Sequence, residues 1–231
     1  MVEIVMEGPG KNSLGTRMLD FLRARLEEAA GRAILLTGAG DAFSAGLDLR
    51  EVAAFDAKGL EAFLRKLEAV IEALYTYPGP TVALVNGHAI AGGCIVALAC
   101  DHQVATSNPK ARIGLNELAL GLELPPLALS VIIERLPKHH LNRVLLGAEL
   151  HDPRAALELG LVDEISDDAP RLARERLAML AAHPRSAYAR TKAELRRETV
   201  DASLNERRFR EMLPAWTSPE THKRLSSVLK R

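Results

Sequence analysis

The sequence predicts an α/β fold with mostly parallel strands, continued by a charged helical tail. Three observations lead there. Short apolar runs alternate with amphipathic stretches through the first half of the chain, the order expected of strands joined by helical crossovers. Those runs are apolar at nearly every position, as strands covered on both faces must be. Beyond Asp152 strand signals become sparse and charged, helix-forming residues take over.

Each element has its own local cause. Between Arg17 and Ala30, Met18, Leu19, Leu22 and Leu26 recur at three- and four-residue steps and give a helix one apolar face. Ala33-Ile34-Leu35-Leu36-Thr37, ending in Gly38, reads as a buried strand. Gly59 to Thr76 is a second helix, stopped by Pro78-Gly79-Pro80. Thr81 to Val85 is another buried strand, and Ile95 to Ala99 a short apolar helix behind Gly92-Gly93. His102 to Thr106 reads as a third strand and Arg112 to Gly114 as a shorter one. Pro153 to Leu159 is a helix closed by Gly160, and Val162 to Ile165 a short strand. After Ala169 the chain is helical, with Pro184 and Pro214 expected to break it into about three pieces. In that tail Arg185, Arg190, Lys192, Arg196, Arg197, Arg207, Arg208 and Arg210 are interleaved with Glu194, Glu198, Glu206 and Glu211, which reads as a solvated helix face. The chain thus divides into a core over 1–166 and a helical region over 167–231.

Composition narrows the function classes. The 231 residues carry 30 basic and 30 acidic side chains and are 48% hydrophobic, which excludes a disordered or collagen-like chain. Zero net charge excludes the cationic footprint of a generic nucleic-acid binder. No apolar stretch approaches the roughly 20 residues that span a bilayer. The N-terminus lacks the basic start and apolar centre of a signal peptide, and Leu229-Lys230-Arg231 is no peroxisomal tripeptide. A cytoplasmic protein without membrane or nucleic-acid partners is expected. Cys94 and Cys100 lie six apart in an apolar run and read as buried thiols, and the scattered histidines predict no metal site.

Two turns carry the chemical signal. Gly38-Ala39-Gly40-Asp41-Ala42-Phe43-Ser44-Ala45-Gly46-Leu47-Asp48-Leu49 and Asn86-Gly87-His88-Ala89-Ile90-Ala91-Gly92-Gly93-Cys94 each follow a buried strand and are rich in small residues. Glycine lets a backbone approach a ligand closely and leaves peptide N–H groups uncovered. Two such groups aimed at one point make an oxyanion hole, strengthened where a turn opens a helix. Neither a complete dinucleotide fingerprint nor a Gly-Lys-Ser/Thr phosphate loop occurs.

The combination of Phe43-Ser44-Ala45-Gly46-Leu47-Asp48-Leu49 with Asn86 to Cys94 and then Ala99-Cys100-Asp101 resembles the crotonase (enoyl-CoA hydratase/isomerase) superfamily. Lys11-Asn12-Ser13-Leu14, Ile113-Gly114-Leu115-Asn116-Glu117 and Ala155 to Asp163 extend the resemblance over nearly the whole chain. Glu7-Gly8-Pro9-Gly10 departs from it by shortening the family's opening hairpin. The resemblance implies a spiral of ββα units and a C-terminal helical oligomerisation region, in a homotrimer or dimer of trimers. It implies an acyl-coenzyme A thioester as substrate and no permanently bound cofactor. By position, the N–H groups of Leu47 and Gly92 would hold the thioester oxygen. The backbone from Ala45 through Gly46, Leu47 and Asp48 to Leu49, together with Gly92 and Gly93, would meet the coenzyme.

Hydratases of this family use two glutamates. Here the first position holds Ile95 and the second Glu117. Syn-hydration needs both water activation and proton delivery, whereas one carboxylate suffices to move a proton from C2 to C4. The stretch Gly114-Leu115-Asn116-Glu117 also looks like the monofunctional Δ3,Δ2-enoyl-CoA isomerase branch. Glu117, expected to be buried beside Leu115, Leu118 and Leu120, should have a raised pKa. The alternatives are a hydratase with a substitute for the missing glutamate, for which Glu123 and Glu134 are candidates, and a non-catalytic acyl-CoA-binding homologue. His88 reads as packed or hydrogen-bonded, His102 as structural, and His139-His140 as exposed. Phe55, Leu60, Phe63, Leu120, Leu122 and Leu124 are the residues expected to shape the acyl pocket. Met212, Leu213 and Trp216 could serve a subunit interface or cap their own subunit.

Overall fold

The structure, a computed structural model, describes residues 1–203 and 206–229, so positions 204–205 and 230–231 of the predicted helical region lie outside the described residues. The chain opens with β1 (Val2–Met6), the short turn α1 (Pro9–Asn12) and helix α2 (Thr16–Ala29). Three ββα units follow. The first is β2 (Ile34–Gly38), β3 (Ala42–Ser44), α3 (Leu49–Ala54) and α4 (Ala57–Tyr75). The second is β4 (Thr81–Val85), β5 (His88–Ile90) and α5 (Gly92–Ala99). The third is β6 (His102–Thr106), β7 (Ile113–Gly114) and, after a 3₁₀ turn at Leu118–Leu120, α6 (Pro126–Arg135). Then come α7 (Leu141–Gly147), α8 (Pro153–Leu159), β8 (Glu164–Ser166), α9 (Ala169–Ala181), α10 (Arg185–Ser203), α11 (Glu206–Trp216) and α12 (Pro219–Leu229).

In every unit the first strand joins a five-stranded sheet of order β1-β2-β4-β6-β8, and the second joins a three-stranded sheet of order β3-β5-β7. All these pairings are parallel. The chain therefore winds as a spiral of ββα units. Strand side chains alternate between faces, which explains the unbroken apolar runs. Ile34 and Leu36 of β2 enter the main core with α2 and α4, while Leu35 packs with Ala169, Ala173 and Leu177 of α9 on the other face. Asn86 joins the ends of β2 and β4: its Oδ1 accepts from the Thr37 hydroxyl and the Gly38 N–H, both at 3.2 Å, and its Nδ2 donates to the Gly40 carbonyl at 3.0 Å.

Several expectations need correction. The two glycine-rich segments contain strands β3 and β5, which pattern alone could not separate from turns because each is three residues long. The shortened start keeps one strand, β1, paired with β2 along its whole length. Pro214 does not break the tail; it sits inside α11, close to its C-terminal end, where it removes one intrahelical backbone bond.

The larger correction concerns the tail's charges. Lys192 and Arg196 are buried, not part of a solvated face. The Asp101 carboxylate accepts from Lys192 at 2.8 Å, Arg196 at 2.7 Å, the Tyr188 hydroxyl at 2.9 Å and the Thr81 N–H at 2.8 Å. Arg196 also donates to the Tyr75 carbonyl and lies 4.2 Å from the centroid of the Tyr75 ring. This cluster ties α10 to the corner where α5 meets β6.

Removing the anion would leave two buried cations without their partner, a loss of about 3–5 kcal/mol. Asp101→Ala should therefore lower the urea midpoint by that equivalent and expose α10 to limited proteolysis before the core.

Candidate active site

The first turn is held by a buried asparagine. Asn12, with φ of 60°, donates through Nδ2 to the carbonyls of Ala39 and Ala42, both at 2.9 Å. Its own carbonyl accepts from the Ser44 hydroxyl at 2.8 Å, and the Lys11 carbonyl accepts from the Ala45 N–H at 3.0 Å. This explains why Lys11-Asn12 belongs to the pattern around residues 39–46.

Leu47 is aimed by a parallel bridge to Leu14. Leu14 N–H donates to the Gly46 carbonyl at 2.7 Å, and Asp48 N–H donates to the Leu14 carbonyl at 3.3 Å. In a parallel pair the residue between two such bonds turns its own N–H to the opposite edge, so Leu47 N–H points away from Leu14. The second donor comes from the start of α5. Ala91 precedes it with φ 50° and ψ −122°, a strained conformation for a residue with a Cβ. It is held there by its N–H on the Gly114 carbonyl at 2.8 Å and by its carbonyl accepting from Ile95 at 3.0 Å. Gly92 is the first residue of the helix, where N–H groups lack intrahelical acceptors and the dipole is positive. Among the described residues neither Leu47 N–H nor Gly92 N–H has a backbone acceptor.

Gly46 brings these donors together. Its φ is +87°, and a Cβ placed there would lie 2.7 Å from the Ile90 carbonyl oxygen and 3.4 Å from the Gly92 nitrogen. Gly93 has a similar need, since a Cβ would lie 2.4 Å from the Ser44 carbonyl oxygen. The two turns pack backbone against backbone.

Beside them lies a cavity of about 210 Å³. Ala45, Leu47, Leu49, Ile90, Ala91, Gly92 and Ile95 line it from the two turns and the helices they open; Asn116, Glu117, Leu120, Leu122, Leu124 and Pro125 line it from the loop after β7. Leu67 and Trp216 complete the wall. Of the residues expected around the coenzyme, Gly46, Asp48 and Gly93 do not line this cavity. Asp48 instead caps α3 through the N–H groups of Arg50 and Glu51.

Glu117 is the one carboxylate among the described residues that lines the cavity. Its backbone carbonyl accepts from Leu120 at 2.9 Å and Leu122 at 3.0 Å, which knots the loop. Its side chain is buried, and Oε1 has no hydrogen-bond partner among the described residues. Burial pushes its pKa up to about 7, opposed only by its own backbone N–H. Glu117 lies close enough to the first turn of α5 that its charge helps raise the Cys94 thiol, although burial is the main cause. Leu120 lines the cavity with it and Leu115 is buried, but Leu118 faces outward at 52% exposure.

The other candidates are elsewhere. Ile95 is buried on the cavity wall. Glu123 is exposed, and Glu134 accepts from the Tyr75 hydroxyl at 3.1 Å; neither supplies a second carboxylate. His88 Nδ1 accepts from Arg112 N–H at 3.2 Å, outside the cavity, and burial holds its pKa down. His102 bonds Glu164 at 2.7 Å, and His139 is exposed while His140 is half-buried. Phe55, Leu60 and Phe63 do not reach the cavity; the two phenylalanines pair with ring centroids 5.5 Å apart. Sequence pattern missed Ala91, Leu67 and Trp216 as parts of the wall. Trp216 and Met212 are buried against their own chain. Among the described residues no helix is long and apolar enough to cross a membrane.

Comparison with known proteins identifies the family and the fold. The family described as enoyl-CoA hydratase/isomerase matches residues 1–228. The mitochondrial enoyl-CoA delta isomerase 1 of mouse is 31% identical over 209 residues, covering 87% of this chain and 72% of the mouse protein. A putative enoyl-CoA hydratase of Thermus thermophilus is 38% identical over 163 residues, covering 68% of this chain and 63% of that protein. The crystal structure of human mitochondrial Δ3,Δ2-enoyl-CoA isomerase superposes with a TM-score of 0.93 at 29% identity, covering 99% of this chain and 93% of that one.

The raised pKa has a thermodynamic sign. A carboxyl whose folded pKa lies above its unfolded value costs stability once the pH exceeds the folded value, and costs nothing below the unfolded one. From 4.5 to about 7 the cost is about 3 kcal/mol. Glu117→Gln should therefore stabilise the protein by up to about that amount at pH 8, with the gain fading as pH falls from 7 to 4.5. Urea unfolding of both proteins across this range measures it.

Proposed function

The chain belongs to the enoyl-CoA hydratase/isomerase family, and we propose that within it the protein is a Δ3,Δ2-enoyl-CoA isomerase with Glu117 as its only proton carrier. The observation that carries this reading is a largely apolar cavity with one buried carboxylate, its pKa near 7, and an aliphatic residue, Ile95, where hydration would need a second carboxylate.

The substrate is a 3-enoyl thioester. Its carbonyl oxygen accepts from the N–H groups of Leu47 and Gly92. The Glu117 carboxylate takes the C2 proton, and the electron pair of that C–H bond delocalises onto the thioester oxygen as a dienolate. The negative charge grows where the two preorganised donors already point, so they stabilise it without reorganising. The neutral carboxyl of Glu117 then returns the proton at C4, the double bond settles between C2 and C3, and the enzyme is regenerated. A carboxyl with pKa near 7 suits both halves of this exchange, because it is a stronger base than an ordinary carboxylate and still an acid strong enough to give the proton back.

Hydration is the second reading, and Asn116 is the observation behind it. It lines the cavity next to Glu117, with Oδ1 buried and without a hydrogen-bond partner among the described residues. A carboxamide can orient water but cannot deliver a proton to C2, so isomerisation remains the better account.

Conjugated-thioester absorbance separates the two readings. Incubation with 3-hexenoyl-CoA should generate conjugation, and Glu117→Gln should abolish it. Loss of conjugation from crotonyl-CoA at a comparable rate would favour hydration; full-rate isomerisation by the Gln variant would refute the role of Glu117. For the free wild-type enzyme kcat/KM should rise with pH to a plateau, with its midpoint near pH 7. Gly46→Ala, which forces the turns apart, should reduce kcat by about a hundredfold, the cost of losing one oxyanion donor.

A further inference from the structure

The loop after Glu117 is covered by α11 and α12 of the same chain. Trp216 Nε1 donates to the Glu123 carbonyl at 2.9 Å and Arg224 to the Ala119 carbonyl at 3.5 Å, while the Thr221 hydroxyl, which donates to Ala215, lies 3.3 Å from the Gly121 carbonyl. These carbonyls occupy alternate positions along the loop. The residues between and after them, Leu120, Leu122 and Leu124, line the cavity. One set of backbone groups is thus tied to the C-terminal helices while the intervening side chains form an apolar wall.

Trp216 differs from the other donors because its ring is itself part of that wall, the one lining residue that α11 and α12 supply among the described residues. The ring is 2% exposed, and its N–H is committed to Glu123. A leucine wall can yield by changing rotamer. An indole held by its N–H inside a packed core cannot turn aside without giving up its hydrogen bond to the Glu123 carbonyl. The indole is therefore the least yielding part of the wall.

We propose that Trp216 is a specificity-determining residue that limits the acyl chain the site accepts. The inference rests on the enoyl thioester reading above. A cavity of roughly 150 Å³ takes the six carbons of benzene; by proportion about 210 Å³ holds about eight carbons. Chains well beyond that length would meet the indole.

The test compares the wild-type chain with Trp216→Ala and Trp216→Leu, the second keeping an apolar cover should the first not fold. Binding of saturated hexanoyl-CoA and dodecanoyl-CoA is measured by calorimetry, alongside turnover of 3-hexenoyl-CoA. Wild type is expected to favour the six-carbon ester, and loss of the indole to shift the ratio of the two affinities about tenfold or more toward the twelve-carbon ester, within the range that pocket-filling groups command. A wild type that prefers the twelve-carbon ester, or a ratio unchanged in a folded variant, would overturn the proposal. A shifted ratio without 3-hexenoyl-CoA turnover would support it while refuting the isomerase reading; turnover with an unchanged ratio would do the reverse.

Discussion

Gly46 meets the Ile90 carbonyl so closely that a methyl group there would stand 2.7 Å from the oxygen, and the candidate site is arranged around that approach. Two N–H groups from segments some forty residues apart can converge only if their backbones touch. Side chains at the contact would hold them apart. The parallel stack of β3, β5 and β7 supplies the register, and the Leu14–Leu47 bridge and the strained Ala91 turn supply the direction. The ββα spiral is in this sense a device for laying successive strand ends side by side. The third unit then adds the loop that carries Glu117.

The same arrangement makes the carboxylate reactive at a cost. Among the described residues Glu117 has no cation and no hydrogen-bond donor beyond its own backbone that stabilises its charge, so the charge is disfavoured and the basicity raised. A carboxylate paired with arginine, as Glu164 is with Arg176, has its pKa held down and would be a poor base. In the proposed reaction, apolar surroundings serve both the proton transfer and the dry pocket in which two N–H donors act strongly.

A second buried charged group holds the tail to the core. Asp101 gathers Lys192, Arg196 and Tyr188 into a cluster at the α5–β6 corner, anchoring α10 to the ββα core. From there the chain reaches α11 and α12, whose side chains hold the loop after Glu117. The tail is therefore continuous with the site: its anchor is polar and buried, and its far end, Trp216, is apolar surface of the cavity.

Local physics made much of this legible in the sequence. Apolar periodicity located α2, β2, α4, β4 and β6, because burial on one or two faces leaves a period that needs no partner to recognise. The small-residue turns and the lone Glu117 were readable because backbone approach demands glycine and proton transfer demands a titratable group. What the sequence could not decide depends on distance across the fold. Lys192 and Arg196 look like any charged helix face until Asp101 is opposite them. Ala91 shows no sign of its positive φ, since alanine is not a residue that usually adopts it. Phe55, Leu60 and Phe63 were apolar enough to line a pocket, yet only tertiary packing could turn them into the core and bring Leu67 and Trp216 to the wall instead. Sequence by itself determined which residues can carry charge, bend or burial; the tertiary structure decided which of them meet, because convergence in space between distant segments leaves no period or local motif in the chain.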